Sequence, residues 1–579
     1  MRIPRHFVSK ALLTFLFLSL ANPASAQTGA AEASYDIIIA GGRIIDGTGT
    51  AWFYGDVAIK GDRIARIAPA GMLNQATARE RLDARGMVVA PGFIDIQSHS
   101  RDNFLTGDGR VISKVTQGIT TEIMGEGWSN APSNEKTIAG SGGADPAEQQ
   151  FVEAFKAERG FNNWLEAMQK HGASANFGSF VGGATLRMYV KGMTQGKPTK
   201  EELDQMRSLV KQAMEDGAFG IATALIYPPG NFATTEELIE MSKAMAPYGG
   251  IYISHMRSEA DQFLEAMDEA MRIGREGGVP VEIYHLKAGG RRNWAKAQQA
   301  IDKINAARAA GQDVSADMYP YIAGGTGLTA CLPPWASADG KLLDNLRDPA
   351  MREKIKAEVM KDKTEWENLC QLATPEGVLI VGVNKPENKV FAGMRLSEMA
   401  AKQKKPWLDA AIDLIISEEQ RVGTIFFMMS EDNVKLQLRQ PWMKIGTDAG
   451  GADPDNPEGL VHPRSYGTYP RILGKYVREE KVITLEDAVR KMTSAVANRL
   501  SIRDRGLLRE GMYADVVVFD PQTVADRATF EKPHQLSVGI KWVLVNGTLV
   551  VADGKHTGAK PGRIVRGPGY REASRTGEK

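Results

Sequence analysis

Helical segments alternate with short apolar runs through the middle of this chain, and this alternation constrains the fold most. Four amphipathic segments each precede a short run rich in Val, Ile, Ala or Tyr. The segments are residues 200–216, 235–247, 258–276 and 294–310, and the runs are residues 217–225, 250–254, 280–284 and 313–318. Helix–strand alternation at this spacing predicts a parallel α/β sheet. Since the chain has 579 residues, a (β/α)8 TIM barrel is the economical closure of that sheet.

A doubly wound open sheet is the alternative architecture. That fold needs a Gly-rich phosphate loop directly after a strand, and the sequence has none at such a position. The stretch from about residue 335 to residue 424 is long, charged and rich in helical patterns. We interpret it as an insertion ahead of the last two barrel strands, within a barrel domain of residues 91–500.

Strand-and-turn sequence flanks this middle region at both ends. β-Branched runs broken by turn residues occupy residues 35–45, 51–67, 514–519 and 540–551. Within the last of these runs, Asn546-Gly547 predicts a tight hairpin turn. The two ends are therefore predicted to join in one small β-sandwich, with its two parts at residues 35–90 and 501–570.

The N-terminus is typical of a secretory signal peptide of 26 residues. Basic residues precede the apolar run at residues 11–20, and an A-x-A cleavage site follows at residues 24–26. The apolar run is shorter than the ~20 residues that a membrane-spanning helix needs, and no later segment of the sequence qualifies. We therefore expect a periplasmic or secreted protein, free of the membrane after cleavage, with an uncleaved anchor as the alternative.

Cysteine content and net charge limit the chemistry further. Cys331 and Cys370 are the only cysteines, so an exported chain can form at most one internal disulfide, and two buried free thiols are equally compatible with the sequence. The 71 Lys and Arg residues nearly cancel the 70 Asp and Glu residues. Since this balance leaves no overall field to attract nucleic acid or an anionic membrane, a small-molecule substrate is the expected partner.

Three of the eight histidines, His99, His255 and His285, directly follow apolar runs, and so does Asp448. Side chains at the carboxyl ends of barrel strands converge on one face, where imidazoles and carboxylates can hold zinc and leave a position for water. His255 and His285 are about one strand–helix unit apart, which places them on neighbouring strands. Any one of these histidines alone could be a hydrogen-bonded core residue, but the set favours a metal site.

Eight motifs carry a resemblance to a known family. They are PGFID at residues 91–95, TQGITT at 116–121, GAFGIATALIYPPGNFATTEEL at 217–238, HMRSE at 255–259, HLK at 285–287, DMYPY at 317–321, GTDAG at 446–450 and HPRSYGTYPR at 462–471. With these motifs the chain resembles the N-acyl-D-amino-acid deacylase (D-aminoacylase) branch of the amidohydrolase superfamily. The resemblance runs from about residue 35 into the C-terminal region.

The resemblance implies a barrel, a β-sandwich from both termini, a small insertion, and zinc-assisted hydrolysis of linear amide bonds in N-acyl-amino acids, with D-configured substrates by analogy. In that family two strand-end histidines and a cysteine hold a tight zinc. An H-x-H pair after P-G-F-x-D contributes to a weaker site, and an aspartate after the last strand is the general base. By position, the two histidines are His255 and His285, and the aspartate is Asp448.

Two positions depart from the family pattern. Gln97 stands where the first histidine of H-x-H is expected, and Glu126 stands, to within a residue, where the cysteine is expected. A glutamate still binds zinc and can bridge two ions, so we expect one tight site at Glu126, His255 and His285. A second, weak site would use His99, Asp448 and Glu126, with Gln97 beside the ligands rather than among them. A solvated loop carboxylate is the alternative interpretation of Glu126.

The resemblance also implies substrate-binding residues. Lys287, Tyr319 and Arg464 match positions that bind the substrate α-carboxylate in related deacylases, and Tyr227 is expected to place a hydroxyl near the reacting centre or acyl group. Asp448 is expected to take the proton of the attacking water and return it to the leaving amine. Lys287 and Arg464 could instead be ordinary surface cations.

Three other functions stay open from the sequence alone. One is a dipeptidase, and another is a cyclic-amide hydrolase, which usually needs a carboxylated lysine between two metals. The polar position of the run at residues 217–225 is Thr223, and no lysine stands at a convincing strand end. The third is a non-catalytic periplasmic binding protein on a degenerate barrel, which the presence of Asp448 disfavours because a binder needs no base.

Overall fold

Four sheets organise the structure, a computed structural model that describes residues 35–140, 149–419, 421–457 and 459–572. The predicted signal peptide, residues 1–26, lies outside the described residues. Across the described ranges, no helix has both the length and the apolar character needed to cross a bilayer.

The strands are numbered in chain order. The first five are β1 (Tyr35–Ile44), β2 (Phe53–Lys60), β3 (Arg63–Pro69), β4 (Ala78–Asp83) and β5 (Val88–Pro91). The next eight are β6 (Phe93–Asp95), β7 (Ile119–Met124), β8 (Asn176–Ser179), β9 (Val181–Gly182), β10 (Gly220–Ala224), β11 (Ile251–His255), β12 (Val281–Ile283) and β13 (Val314–Met318). The last eight are β14 (Ala323–Gly327), β15 (Val378–Gly382), β16 (Gly423–Phe427), β17 (Met443–Ile445), β18 (Val516–Phe519), β19 (Ile540–Val545), β20 (Thr548–Ala552) and β21 (Lys555–His556).

The α-helices are numbered in the same way. Those up to the end of β13 are α1 (Arg101–Leu105), α2 (Ile112–Val115), α3 (Glu135–Gly140), α4 (Val152–Lys156), α5 (Gly160–His171), α6 (Gly183–Lys191), α7 (Lys200–Glu215), α8 (Thr235–Met245), α9 (Phe263–Gly277) and α10 (Lys296–Ala309). Those after it are α11 (Leu342–Arg347), α12 (Pro349–Val359), α13 (Leu369–Ala373), α14 (Leu396–Gln403), α15 (Trp407–Glu418), α16 (Glu431–Leu438), α17 (Arg464–Arg471), α18 (Leu485–Met492) and α19 (Ser494–Arg499).

Strands from both ends of the chain share a nine-stranded sheet. Its order is β21-β20-β19-β18-β5-β1-β2-β3, and β4 also pairs with β1. β5 joins the two halves, since it is parallel to β1 on one side and antiparallel to β18 on the other. The predicted hairpin is confirmed between β19 and β20, where Asn546 (φ 49°) and Gly547 (φ 77°) both adopt the left-handed conformation that such a turn requires.

Parallel strands carry the middle of the chain. β6, β7 and β8 form one parallel sheet, and β9, β10, β11, β12, β13 and β17 form another in that order. β8 ends at Ser179 and β9 begins at Val181, so the two sheets meet there. The four predicted strand segments are confirmed as β10 to β13, and each follows one of the helices α7 to α10, as the alternation indicated.

Local hydrogen bonds fix where these helices begin. α7 starts where predicted because Thr199 and Glu202 form a reciprocal capping box. α9 begins at Phe263, several residues later than predicted. There the Ser258 hydroxyl accepts hydrogen bonds from the backbone N–H groups of Ala260 and Gln262, which holds this stretch in a loop instead of a helical turn.

The insertion lies between β13 and β17 and has its own sheet. β14, β16 and β15 form this antiparallel three-stranded sheet, above a separate apolar core. The expectation of two barrel strands after the insertion is wrong, since in the described chain only β17 follows it and joins β13. The apolar run of β16 resembles a buried parallel strand in sequence, but it pairs antiparallel with β14 and β15.

Cys331 and Cys370 form a disulfide within this insertion. The bond ties the segment that follows β14 to the start of α13. Both residues are buried in the core of the insertion. The structure therefore selects the disulfide over two free thiols.

Candidate metal and catalytic site

Polar side chains follow the carboxyl ends of four parallel strands. Glu126 lies two residues beyond β7, His255 is the last residue of β11, and His285 lies two residues beyond β12. Asp448 lies three residues beyond β17. Although β7 belongs to a different sheet from β11, β12 and β17, the structure brings the four predicted side chains into one cluster.

Two of these side chains sit on strained backbone. His285 has φ 33° and Asp448 has φ 51°, both in the left-handed region that non-glycine residues rarely adopt. The His285 N–H donates to Asp317 Oδ1 at 2.8 Å, and the Asp448 N–H donates to the Gln97 carbonyl oxygen at 2.8 Å. These bonds hold the turns in place and aim both side chains into the cavity, a pattern common at functional sites.

Three ligand atoms form a compact triangle. Glu126 Oε1 lies 3.3 Å from His255 Nδ1 and 3.3 Å from His285 Nε2. The two nitrogens are 2.9 Å apart. A tetrahedral zinc ion with ligands at ~2.0–2.1 Å needs ligand atoms about 3.3–3.4 Å from one another. Two edges of the triangle match that spacing and the third is slightly short, so the residues fit a zinc ion.

A second group shares Glu126. His99 Nε2 lies 3.3 Å from Glu126 Oε2 and 2.9 Å from Asp448 Oδ1. Gln97 donates through Nε2 to Glu126 Oε2 at 2.5 Å, while its buried Oε1 has no hydrogen-bond partner among the described residues. Gln97 thus touches the carboxylate between the two groups, as expected of a residue beside the ligands. The Glu126 side chain is only 7% exposed, which contradicts the solvated-loop interpretation.

The charge state of both carboxylates suits these roles. Burial raises the pKa of Glu126, but the charge of His285 and hydrogen bonds from His255 and His99 together hold that pKa well below its usual value. Burial likewise opposes ionisation of Asp448, and the Arg464 guanidinium and His285 lower its pKa. Both groups are therefore anionic at neutral pH, ready to bind a cation or accept a proton.

Arg464 and Tyr319 lie beside Asp448. Arg464 Nη1 donates to Asp448 Oδ2 at 2.6 Å, and Nη2 donates to the Gly325 carbonyl oxygen at 3.2 Å. The guanidinium carbon lies 4.7 Å from the centroid of the Tyr319 ring. Arg464 is buried, so the surface interpretation is wrong, and its Nε has no hydrogen-bond partner among the described residues. Arg464 thus lines the cavity with its guanidinium held against Asp448.

Tyr227 lies on the other side of the cavity. Its ring centroid is 5.6 Å from that of His255, and its hydroxyl donates to Thr326 Oγ1 at 2.8 Å. Burial raises the pKa of the Tyr227 phenol, so it stays a protonated donor at neutral pH. Tyr227 therefore lines the cavity beside His255, with its hydroxyl held by Thr326.

Lys287 is buried rather than exposed, which contradicts the surface-lysine interpretation. Its ammonium lies 2.8 Å and 2.6 Å from the two carboxylate oxygens of Glu259. Nζ also lies 2.6 Å from His285 Nδ1 and 5.8 Å from the Tyr319 ring centroid. Lys287 therefore lines the cavity, but a protein carboxylate already neutralises its charge.

Sequence reasoning missed two carboxylates, Glu259 and Glu367. Glu259 stands four residues after His255 in the HMRSE motif, a spacing that could have identified it. Glu367 comes from the insertion and accepts a hydrogen bond from the Glu259 backbone N–H. Burial and the nearby Glu259 raise the pKa of Glu367 to about 7. No local sequence pattern predicts a role for Glu367, because its partner Glu259 lies more than a hundred residues earlier in the chain.

The cluster opens into one cavity of about 800 Å3. This is the size range of sites that enclose a small organic ligand. One wall carries Glu126, His255, His285, Asp448 and Arg464. The insertion supplies an apolar wall of Leu342, Leu343, Leu369, Ile415, Phe426 and Met428. The cavity thus combines a polar reacting end with a large apolar surface.

Comparison with known proteins gives a consistent result. Residues 397–551 match the model of the amidohydrolase family. The chain is 38% identical to a D-aminoacylase of Alcaligenes xylosoxydans xylosoxydans over 535 residues, which cover 92% of this chain and 97% of that protein.

Solved structures agree over the same length. The crystal structure of N-acyl-D-glutamate deacylase from Bordetella bronchiseptica, complexed with zinc and a phosphonate mimic of the tetrahedral intermediate, matches with a TM-score of 0.76 and 32% identity, covering 92% of this chain and 100% of that chain. A D-aminoacylase studied for one-metal activation and second-metal attenuation of its binuclear centre matches with a TM-score of 0.75 and 35% identity, at 92% and 100% coverage. The family resemblance carried by the sequence motifs is confirmed, and the chain belongs to the N-acyl-D-amino-acid deacylase (D-aminoacylase) branch of the amidohydrolases.

Proposed function

We propose that this protein is a zinc-dependent hydrolase that removes the acyl group from N-acyl-amino acids of D configuration. The observation that carries the proposal is the triangle of Glu126, His255 and His285 with the buried Asp448 carboxylate beside it. Relatives that match over nearly their whole length are named as D-aminoacylase and N-acyl-D-aspartate deacylase, which supports both the reaction and the configuration of the substrate.

Glu126, His255 and His285 would hold the zinc ion. Bound zinc supplies Lewis-acid polarisation of the scissile carbonyl and a lowered pKa for the attacking water. Asp448 is the general base, since its anionic carboxylate can take the proton of that water and return it to the leaving amine. Arg464 holds Asp448 Oδ2, so the proton would move through Oδ1, the oxygen that lies 2.9 Å from His99 Nε2.

Arg464, Tyr319 and Lys287 would bind the substrate α-carboxylate. Support comes from the cavity wall that the three residues share and from the short distances of the two cations to the Tyr319 ring centroid, 5.8 Å for Lys287 Nζ and 4.7 Å for the Arg464 guanidinium carbon. Charge-assisted hydrogen bonds to a carboxylate are stronger than bonds between neutral groups, and Arg can make two of them in parallel. Tyr227 would donate its hydroxyl at the acyl side of the reacting carbonyl.

Hydrolysis of a cyclic amide is the second candidate, and one observation disfavours it. Lys287 is the one lysine among the described residues that line the cavity, and Glu259 holds its ammonium by both oxygens. A lysine held in this way cannot be carboxylated and bridge two metal ions without breaking that pair.

The architecture that we propose for this site is a closed (β/α)8 barrel. Closure between β6 and β17 is supported by a parallel bridge between Ser98 and Ala449 and by the bond from Asp448 N–H to the Gln97 carbonyl. Residues 91–500 would form the barrel domain. The terminal sheet would form the β-sandwich of residues 35–90 and 501–570, which the separate apolar clusters around Ile37 and Ile38 support.

We also propose that the protein works in the periplasm or outside the cell. The disulfide between Cys331 and Cys370 supports this location, because structural disulfides persist in oxidising compartments. Activity of a reporter enzyme fused to residues 1–34, measured in the periplasmic and cytoplasmic fractions, tests it. Retention of the reporter in the cytoplasm would contradict it.

One screen tests the reaction itself. The mature protein, loaded with zinc, is incubated with paired N-acyl-D- and N-acyl-L-amino acids, and the free amine is measured. We expect release from the D-series with a smaller or absent signal from the L-series. No release from either series by a zinc-containing protein would overturn the proposed function.

A further inference from the structure

Glu259 lies behind the two metal-facing histidines. Its Oε1 lies 3.0 Å from His285 Nδ1, and its Oε2 lies 3.6 Å from His255 Nε2. Both oxygens also contact the Lys287 ammonium. The side chain is only 2% exposed, so water does not compete for these contacts. Glu259 therefore faces the nitrogens of both rings that point away from Glu126.

The tautomer of His285 depends on whether its Nδ1 faces a hydrogen-bond acceptor or a donor. Nε2 faces Glu126 and His255, so a metal-binding ring must keep a lone pair there and carry its proton on Nδ1. A protonated Nδ1 needs an acceptor, and the Glu259 carboxylate provides one. The Lys287 ammonium lies 2.6 Å from the same nitrogen but can only donate, and so favours the opposite tautomer.

His255 faces the same carboxylate with the opposite ring nitrogen. Its Nδ1 is directed toward Glu126, so its Nε2 carries the proton when the ring binds a metal. That Nε2 is buried and has no hydrogen-bond partner among the described residues, and Glu259 Oε2 is an acceptor within 3.6 Å of it. A small movement of either side chain would close this gap to a hydrogen bond.

These atoms do not form an additional metal site of their own. His255, Glu259 and Glu367 offer ligand atoms within 4.8 Å of one another. However, the Lys287 ammonium already occupies the space against both oxygens of Glu259, and a second cation there would be repelled. Because the Lys287 ammonium already balances its charge, Glu259 acts as a hydrogen-bond acceptor and not as a metal ligand.

We infer that Glu259 is a positioning residue that holds His255 and His285 in the ring orientation and tautomer that bind zinc. Lys287 neutralises the buried carboxylate, and Glu367 anchors the Glu259 backbone from the insertion. This inference rests on the proposed zinc site. Loss of a carboxylate that accepts a hydrogen bond from a metal-binding histidine typically weakens metal binding by about 10–100-fold.

The zinc affinity of five variants tests the inference without relying on activity. Glu259→Gln removes the anionic acceptor, and the double variant Glu259→Gln with Lys287→Met also removes the ammonium that would be left unpaired. Lys287→Met alone keeps the acceptor. Glu237→Gln is a matched control, because Glu237 in α8 is a buried carboxylate that pairs with Arg187 of α6 and does not line the cavity. The dissociation constant is measured by competition with a chromogenic chelator, and the fold by circular dichroism.

We expect both variants that lack Glu259 to bind zinc ~10–100-fold more weakly than wild type, while Glu237→Gln stays within about threefold and Lys287→Met, which removes the competing donor, binds zinc no more weakly than wild type. If Glu259→Gln fails to fold, the double variant decides the test. Glu259→Asp, which keeps the charge but shortens the reach, should recover part of the affinity. A folded double variant with wild-type zinc affinity would overturn the inference. Wild-type protein that binds no zinc, or binds it and releases no acyl group, would instead contradict the proposed function.

Discussion

Arg464 and Asp448 form a buried ion pair in which Nη1 donates to Oδ2 at 2.6 Å. The pair links a residue expected to bind substrate with the residue expected to move protons. Because one carboxylate oxygen is held by the guanidinium, the base keeps a fixed orientation and its other oxygen faces His99. A change at Arg464 should therefore affect both substrate binding and the catalytic step.

Asp448→Asn should abolish most of the activity while leaving the fold intact. The amide keeps the shape of the carboxylate but cannot accept the proton of water, so kcat should fall by at least ~10²–10⁴. Steady-state kinetics with an N-acyl-D-amino acid gives the change, and circular dichroism checks the fold. Retention of more than about a tenth of wild-type kcat would show that Asp448 is not the base.

Arg464→Met should raise KM for N-acyl-D-amino acids and also lower kcat. Each charge-assisted hydrogen bond lost from the α-carboxylate is worth ~1.5–3 kcal/mol, or about 10–150-fold in kcat/KM. The matching N-acyl amides lack that carboxylate, so their KM should change little, and the loss of support for Asp448 should lower kcat for both series.

Comparison of the acid and amide series in wild-type protein is the control for this assignment. Wild type should cleave the acids far better than the amides. Equal turnover of both series would move the assignment to a hydrolase of neutral amides on the same scaffold.

Two substitutions should separate the two metal groups. Glu126 belongs to both groups, whereas His99 belongs only to the one with Asp448. We expect wild type to keep about one zinc per chain after mild dialysis, since a site without a full histidine pair holds metal weakly. Elemental analysis should find that His99→Asn keeps this zinc and that Glu126→Gln loses it.

The metal prediction has two contrary outcomes. Two dialysis-resistant ions in wild type would mean that Gln97 does not weaken the second group. If His99→Asn loses all zinc and Glu126→Gln retains it, Glu126, His255 and His285 do not form the tight site.

Reduction of the disulfide should destabilise the insertion. Cys331 and Cys370 are 39 residues apart, and a crosslink over such a loop contributes ~3–4 kcal/mol to the free energy of unfolding in the chain-entropy model. Thermal unfolding with and without a reductant measures the effect, with the Cys331→Ala/Cys370→Ala variant as a control that the reductant should not change. An unaltered midpoint after complete reduction would contradict the prediction.

The parallel strands and their helices could be predicted because their periodicity is local. The segments that became β10 to β13 and α7 to α10 each carry their own pattern of apolar residues. β16 shows where this reasoning fails. Its apolar run is compatible with a parallel or an antiparallel partner, and the choice depends on β14 and β15, which are distant in sequence.

Some residues of the candidate site could likewise be predicted from local sequence, and others could not. Glu126, His255, His285 and Asp448 follow strand ends, so each has a local signal and the parallel topology brings them together. Lys287 was identified, but its pairing with Glu259 was not, since a charge's partner is fixed by packing rather than by spacing. Glu367 could not be foreseen, because only the folded insertion brings it to the Glu259 backbone.

The pairing of β5 with β18 has a consequence for how the molecule assembles. Val88 lies opposite Phe519, so a strand near the start of the chain pairs with a strand near its end. Contacts between residues so far apart in sequence form late and slowly, since the entropy of closing a very long loop opposes them. Until β18 arrives, the edge of β5 offers unpaired backbone groups to any other strand. A chain cut short of residue 516 should therefore aggregate even though it contains every strand from β6 to β17.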